Sequence, residues 1–378
     1  MNILINCSNL SGGGGGQVAD SICSYTNIFP QHRFVIVYSR ALKVMGEKVK
    51  EYDNVESIEY NYPLKDYKSL ITGRNTYLDN LVDNKHIDCV LTVFGPMKWK
   101  PYCPHVCGFA LPHLVLPESP YFRSLPLKQR LKTNLSMAID TFIFRHGSKF
   151  LYTENPYITE RVQRLINGSQ VRTISNNYNQ VFDHKDKWVI RRLEDFDGIS
   201  LLTLASPYPH KNIPITIQIA RILKDKYPGF KFRFVLSINK EDFPSFEDSL
   251  EDCFVFLGKV SIEECPSLYE QCDVAFLPSL LECFSAMYAE SMRMRRPIIT
   301  TDLPFARGLC KDAALYYEPL SAEDAAEKIF SLSKNEVVQK DLVNKGVVQL
   351  KNFDTSEQRA EKVFKYCEDV IFLKKNGK

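Results

Sequence analysis

Val274-Ala-Phe-Leu-Pro278-Ser-Leu-Leu-Glu282-Cys283-Phe284-Ser285-Ala286-Met-Tyr-Ala-Glu290-Ser-Met-Arg293-Met-Arg-Arg-Pro297-Ile-Ile-Thr-Thr301 reads as strand, loop, helix and strand. The apolar run Val274–Leu277 is short and stops at Pro278; a second run starts after Pro297. Two such runs joined by a helical stretch make a βαβ unit, which aligns its strands in parallel. The helix is expected to start near Phe284 to Ala286. Glu282 then stands just outside its N-terminus, and Glu290 projects one to two turns inside it. At ~1.5 Å of rise per residue the two carboxylates bracket a group roughly 8–12 Å long. Free N–H groups at Phe284, Ser285 and Ala286 would face an anion lying between them. A nucleotide diphosphate sugar has those dimensions. The alternative is two solvated carboxylates, one of them stabilised by the helix dipole.

Outward from this unit the same alternation continues. Met1–Cys7, Arg33–Tyr38, His86–Val93, His105–Ala110 and Lys149–Thr153 are short apolar runs separated by polar helical stretches. A second series begins with Ile199–Ala205 and Lys231–Ile238 and runs to Ala314–Tyr317. The expected fold class is α/β, with two Rossmann-like, doubly wound domains at 1–180 and 198–354 and a cleft between their facing strand edges. Asn176–Asp197 is rich in Asn, Asp, Lys and Arg and reads as a solvated linker and hinge. Residues 355–378 form a closing helix, capped by Asp354-Thr355-Ser356, that returns to the first domain.

The composition bounds the function. With 378 residues, 44% hydrophobic, 25% charged and 24 Phe with 19 Tyr, the chain has core enough for two domains. Its 48 Lys and Arg against 45 Asp and Glu leave a formal +3, too balanced for a nucleic-acid binder. Eleven Cys, an odd count without zinc spacing, read as buried thiols of a reducing cytoplasm. No secretory preface and no membrane-spanning run is evident.

Several N-terminal features carry two readings. Ser11 and Gly12–Gly16 follow the first strand and precede a helix expected to begin near Gln17, so Gly15 and Gly16 would let an anion approach the backbone. A ligand-free flexible turn is the other reading; Gln17 replaces the third glycine of a dinucleotide fingerprint, which disfavours an NAD oxidoreductase. Residues 123–149 carry Arg123, Lys128, Arg130, Lys132, Arg145 and Lys149 with Leu127, Leu131, Leu135, Ile139 and Phe142 at helical spacing. They read either as peripheral membrane contact or as a helix burying its apolar side. Asp195-Phe-Asp197 matches the letters of a divalent-metal motif but stands in the linker, so no metal or other cofactor is expected. His105, after Pro104, reads as structural.

Pro278-Ser279-Leu-Leu-Glu282-Cys-Phe284-Ser-x4-Glu290 followed by Pro297-Ile-Ile-Thr-Thr-Asp302-Leu-Pro304 resembles the donor-binding segment of family-4 retaining glycosyltransferases of the GT-B fold. Phe256-Leu-Gly-Lys-Val260, His210-Lys211-Asn212 and Asp312-Ala-Ala-Leu315 extend the resemblance upstream and downstream. It implies that Glu282 contacts hydroxyls of the donor sugar and Glu290 grips the ribose. Lys211 and the amides of Phe284–Ala286 would hold the diphosphate, Val260 would border the base, and Gly15 or Gly16 would approach from the opposite domain. His113, in Gly108-Phe-Ala-Leu-Pro-His113, stands where the family often has a histidine contacting the sugar. The family arginine five positions before the lysine is Ser206 here, so Lys211 acts alone or Arg233, Arg293 or another base substitutes. The implied activity is metal-independent transfer of a sugar from a UDP- or GDP-linked donor to a glycan or lipid-linked saccharide, in cell-surface polysaccharide synthesis. A nonhydrolysing nucleotide-sugar epimerase and a catalytically silent sugar-nucleotide-binding subunit remain alternatives on the same architecture.

Overall fold

The computed structural model describes residues 1–63 and 67–376; the last two positions of the expected closing helix lie outside them. The chain divides into two compact units: Met1–Pro117 with Pro126–Asn176 and Asp354–Lys378, and Glu118–Leu125 with Asn177–Phe353.

The first unit holds seven strands: β1 (Asn2–Cys7), β2 (Arg33–Tyr38), β3 (Val55–Glu59), β4 (Cys89–Thr92), β5 (His105–Gly108), β6 (Phe150–Thr153) and β7 (Gln170–Thr173). All pair in parallel, in the order β3-β2-β1-β4-β5-β6-β7. The second holds β8 (Ile199–Thr203), β9 (Phe232–Leu236), β10 (Phe254–Phe256), β11 (Val274–Leu277), β12 (Ile298–Thr301) and β13 (Leu315–Tyr317). These too are parallel, in the order β10-β9-β8-β11-β12-β13. Each unit is therefore a doubly wound α/β sheet, as the alternation of apolar runs predicts. In each, the strand order reverses once, between β1 and β4 and between β8 and β11. Connections leave such a point toward opposite faces of the sheet, which opens a crevice beyond the strands' carboxyl ends.

The strands are apolar on both faces because both are covered. Ile3, Ile5 and Cys7 pack under the helix Gly13–Cys23, whereas Leu4 joins Val35, Val37, Leu78 and Val82 on the reverse side. The helix Ser356–Lys375 begins with a capping box between Thr355 and Gln358 and sets Ala360, Val363, Phe364, Cys367 and Val370 into the first unit's core. Arg359, buried with it, is bonded to Glu154, Asn176 and Ser21. In the second unit, Leu201, Phe234, Phe276 and Ile299 pack with the helices Ile215–Lys226 and Ala322–Ser333.

Two segments refine their sequence reading. Residues 177–197 are largely exposed but anchored: Val189 N–H donates to Glu263 O at 2.9 Å, Arg191 N–H to Ser267 Oγ at 3.1 Å and Leu193 N–H to Gln271 Oε1 at 2.8 Å. The helix Leu127–His146 buries only Phe144 completely, and its leucine stripe is exposed rather than packed inward. Periodicity reveals that a helix has an apolar face; it does not say what covers that face.

Gly108, the last residue of β5, sits where three strands are pressed together. A Cβ there would lie 1.9 Å from Val93 O and 2.7 Å from the Tyr152 ring, whose hydroxyl donates to Val93 O at 2.6 Å. Gly108→Ala should therefore destabilise the fold by about 3 kcal/mol, read as a lowered urea midpoint; an unmoved midpoint would contradict this packing.

Candidate functional site

The crevice between β8 and β11 is built by two loops that the backbone ties together. After β8, Pro209–Lys211 makes one tight turn and Asn212 takes a left-handed conformation, φ 52°, one that asparagine tolerates better than most residues. After β11, the Leu280 N–H donates to His210 O at 2.8 Å, and Ser119 Oγ donates to Leu280 O at 2.6 Å. These bonds bring Lys211 and Glu282, 71 positions apart, into a direct hydrogen-bonded ion pair. Glu282 is 6% exposed; a carboxylate so far from water needs a cation beside it.

The helix Ala286–Arg293 follows at once, starting where the sequence places it. Its N-cap, Ser285, is extended and makes no side-chain cap hydrogen bond, so the positive end of the helix dipole lies beside the Lys211–Glu282 pair uncapped by a side chain. Met287 Sδ accepts the Leu204 N–H at 3.1 Å, fastening this helix start to the end of β8. Phe284 is half-buried and meets Phe353 edge-on. Glu290, one turn on and 5% exposed, accepts a hydrogen bond from Tyr269 Oη at 3.0 Å. Burial pushes the Glu290 carboxyl up to about 7, against the opposing pull of the Tyr269 hydroxyl. Tyr269 is a partner that sequence reasoning missed. It lies on the helix Cys265–Gln271, and nothing in spacing alone ties it to an acid 21 positions away.

Neither of the two named substitutes for the absent arginine is at this crevice. Arg233 pairs in register with Ser200, near the amino ends of β8 and β9, and donates to Ser200 Oγ and Glu194 O. Arg293 closes the far end of its helix, bonded to Asp183 at 2.7 Å. Ser206 is exposed, and Lys211 is the base beside Glu282. Val260 is half-buried after Gly258, whose φ of +66° makes the turn out of β10. Arg191, also missed from sequence, binds the carbonyls of Leu257 and Lys259 and so braces this loop.

The first unit carries the remaining predicted residues. The glycine run is not a loop ahead of a helix at Gln17: the helix starts at Gly13, so Gly15 and Gly16 lie within its first turns. Low glycine propensity loses here to packing by Val18, Ala19 and Ile22. A Cβ at Gly16 would come 2.9 Å from Leu42, whereas at Gly12, Gly13 and Gly14 it would meet nothing within 4 Å. His113 lies on the short helix Pro112–Val115, its Nε2 3.7 Å from Asp140 Oδ2. His105 is structural: Thr92 Oγ1 is 2.9 Å from its ring, and burial pushes its pKa down to about 3. Asp197 pairs with Lys231 at 2.8 Å. Among the described residues no group of three or more His, Cys, Asp or Glu is placed to hold a metal ion.

Residues 186–347 match the model of the family described as glycosyl transferases group 1. Among curated proteins, the O-antigen chain mannosyltransferase RfbU of Salmonella typhimurium is 27% identical over 124 residues, a match covering 31% of this chain and 34% of that protein. The chain thus spans about a third of the length of that relative. Among solved structures, a glycosyltransferase from Rickettsia africae superposes with a TM-score of 0.71 at 16% identity, over 98% of both chains. HepE from Anabaena, solved in complex with UDP and glucose, gives 0.64 at 13% identity over 98% of this chain and 100% of its own. At such identities the likeness establishes the fold, the GT-B architecture of two doubly wound sheets.

The raised Glu290 carboxyl has a thermodynamic consequence. Its pKa is about 7 in the folded chain against an ordinary value near 4.3 when unfolded. The folded state therefore binds the extra proton between those values, and stability falls as pH rises through that window. Glu290→Gln keeps an acceptor for Tyr269 without the charge. It should match the wild-type melting temperature near pH 4.5 and exceed it at pH 8, by roughly 3 kcal/mol of unfolding free energy; a constant gap across that range would contradict the buried charge.

Proposed function

We propose that this chain is a retaining glycosyltransferase that moves a sugar from a nucleotide diphosphate donor, UDP- or GDP-linked, to a hydroxyl of a glycan or lipid-linked saccharide. The observation that carries the reading is the Lys211–Glu282 pair, set at the strand-order reversal of the second sheet against an uncapped helix start. A carboxylate, an ammonium and a helix N-terminus together match a ligand that is neutral and hydroxylated at one end and doubly anionic in the middle. The family match over 186–347 supports sugar transfer, and the RfbU likeness supports a role in polysaccharide synthesis. Eleven cysteines, none in a disulfide and all but Cys103 buried, support work in a reducing cytoplasm.

In this reading the donor diphosphate lies across the amides of Phe284, Ser285 and Ala286 and draws the Lys211 ammonium toward it. One carboxylate oxygen of Glu282 is thereby freed to accept from donor-sugar hydroxyls. Glu290 accepts from the ribose, Val260 borders the base, and His113, Gly15 and Gly16 serve the sugar and acceptor side. The bond between the anomeric carbon and the phosphate oxygen breaks, the acceptor oxygen bonds to that carbon on the same face, and its proton passes to the departing phosphate oxygen. Negative charge grows on the diphosphate, where the ammonium already drawn to it on donor binding and the helix dipole stabilise it. No metal enters this scheme.

Titration with UDP and GDP sugars, followed by turnover with saccharide acceptors, tests the reading. Glu282→Ala should lower kcat roughly 100- to 1000-fold, the scale of losing one charge-stabilising group, while changing nucleoside diphosphate affinity by less than about threefold. Equal losses in both would remove Glu282 from its role. Glu290→Ala should weaken donor binding by about tenfold or more, as expected for a hydrogen bond to a charged group; an unchanged donor Kd would rule out the ribose contact. Donor incubated without acceptor should stay unisomerised, since an epimerised donor would favour the epimerase.

A further inference from the structure

The helix Leu127–His146 presents five large apolar side chains to solvent: Leu127 at 74%, Leu131 at 63%, Leu135 at 65%, Ile139 at 42% and Phe142 at 53% exposure. At 100° per residue these fall within an arc of about 120° on one side of the helix. Phe144, its one fully buried residue, lies on the opposite side. Lys128 falls inside the apolar arc, Arg145 on its edge in line with Leu127, its Nε donating to Leu165 O at 3.2 Å, and Lys132 about 20° beyond the other edge; all three are exposed, as is Lys149 just beyond the helix. Asp140 is the one acid between Pro126 and Lys149. It is turned away from the stripe and set against His113.

We propose that this face is an interfacial docking surface for a bilayer rich in anionic lipid. An apolar stripe bordered by long bases is the pattern that seats a helix in the plane of a membrane. The leucines enter the acyl boundary while lysine and arginine stems reach out to lipid phosphates. No helix of the described residues is long and apolar enough to cross a membrane, so the contact is along the surface. Charge argues against a second copy of the chain as the occupant. Two such faces laid together would set Lys128, Lys132, Arg145 and Lys149 of each copy against the same cations of the other, with no outward acid to offset them. The proposal stands on the helix alone and goes beyond sugar transfer.

The test is flotation of the full chain, without donor, with vesicles of phosphatidylcholine alone and of equimolar phosphatidylcholine and phosphatidylglycerol. The wild type should float with the anionic vesicles, lose binding as salt is raised, and stay behind with the neutral ones. Leu131→Gln with Leu135→Gln, and separately Lys128→Glu with Lys132→Glu, should each cut the bound fraction at least about tenfold. Both pairs are exposed, so their melting temperatures should equal the wild type's. Leu135→Trp should give an emission blue shift on anionic vesicles, a local readout independent of the bulk assay. Failure to float on anionic vesicles, equal binding to neutral ones, or variants that bind like the wild type would each overturn the proposal. So would a wild-type dimer, by light scattering, that the paired leucine variant dissolves while neither protein binds vesicles. Because no arm contains a sugar nucleotide, a negative result here leaves the transferase reading intact, and a failed transfer assay leaves this one intact.

Discussion

The Lys211–Glu282 pair is the constraint around which the second unit is arranged. A nearly buried carboxylate and an ammonium are costly apart and tolerable together, so the loops that carry them must be held in one register. That register comes from backbone, through the Leu280 bond to His210 and the Ser119 bond to Leu280. The sheet supplies the rest: β8 and β11 are neighbours at the point where strand order reverses, so their following loops diverge to opposite faces and leave their first few residues facing each other. Remove the pairing of strands and neither charge has a partner.

The adjoining helix is short, and its contents reflect two opposed demands. Packing wants it apolar, and Met287, Tyr288, Ala289 and Met292 are buried. The site proposed above asks for a charge within its second turn, and Glu290 is buried among them with the neutral hydroxyl of Tyr269 as its donor. The outcome is a carboxyl whose proton is held near neutrality, a stability cost with no structural return that the sheet or core would need. Such a cost is commonly carried where a ligand repays it.

How much of this was legible beforehand depends on the distance over which each fact is decided. The strand, helix and strand of 274–301 were readable because prolines bound each apolar run and because helix start and strand length are local properties. The closing helix was readable from its Thr355 cap and its spacing of Ala360, Val363, Phe364 and Cys367. The Lys211–Glu282 contact was not derivable from the residues, since it depends on how the turn at Asn212 meets a loop about 70 positions later and on a tie from Ser119, remote from both; a motif resemblance brought the two residues to notice without giving their pairing. The glycine run misled for a complementary reason. Its local propensity says loop, yet hydrophobic packing three to nine residues downstream extends the helix back through it.

The stripe on Leu127–His146 marks a further limit of the same kind. A periodic apolar face predicts a helix equally well whether core or membrane lies beyond it. In a core helix the bases collect opposite the apolar side, since both cannot point inward. Here Lys128 lies within the apolar arc and Arg145 on its edge, and the acid Asp140 is the charge turned toward the protein. That inversion has a physical meaning: a surface that wants leucine and lysine on the same side is one whose interior is apolar and whose boundary is negative. A protein core offers the first property alone, and an anionic bilayer offers both.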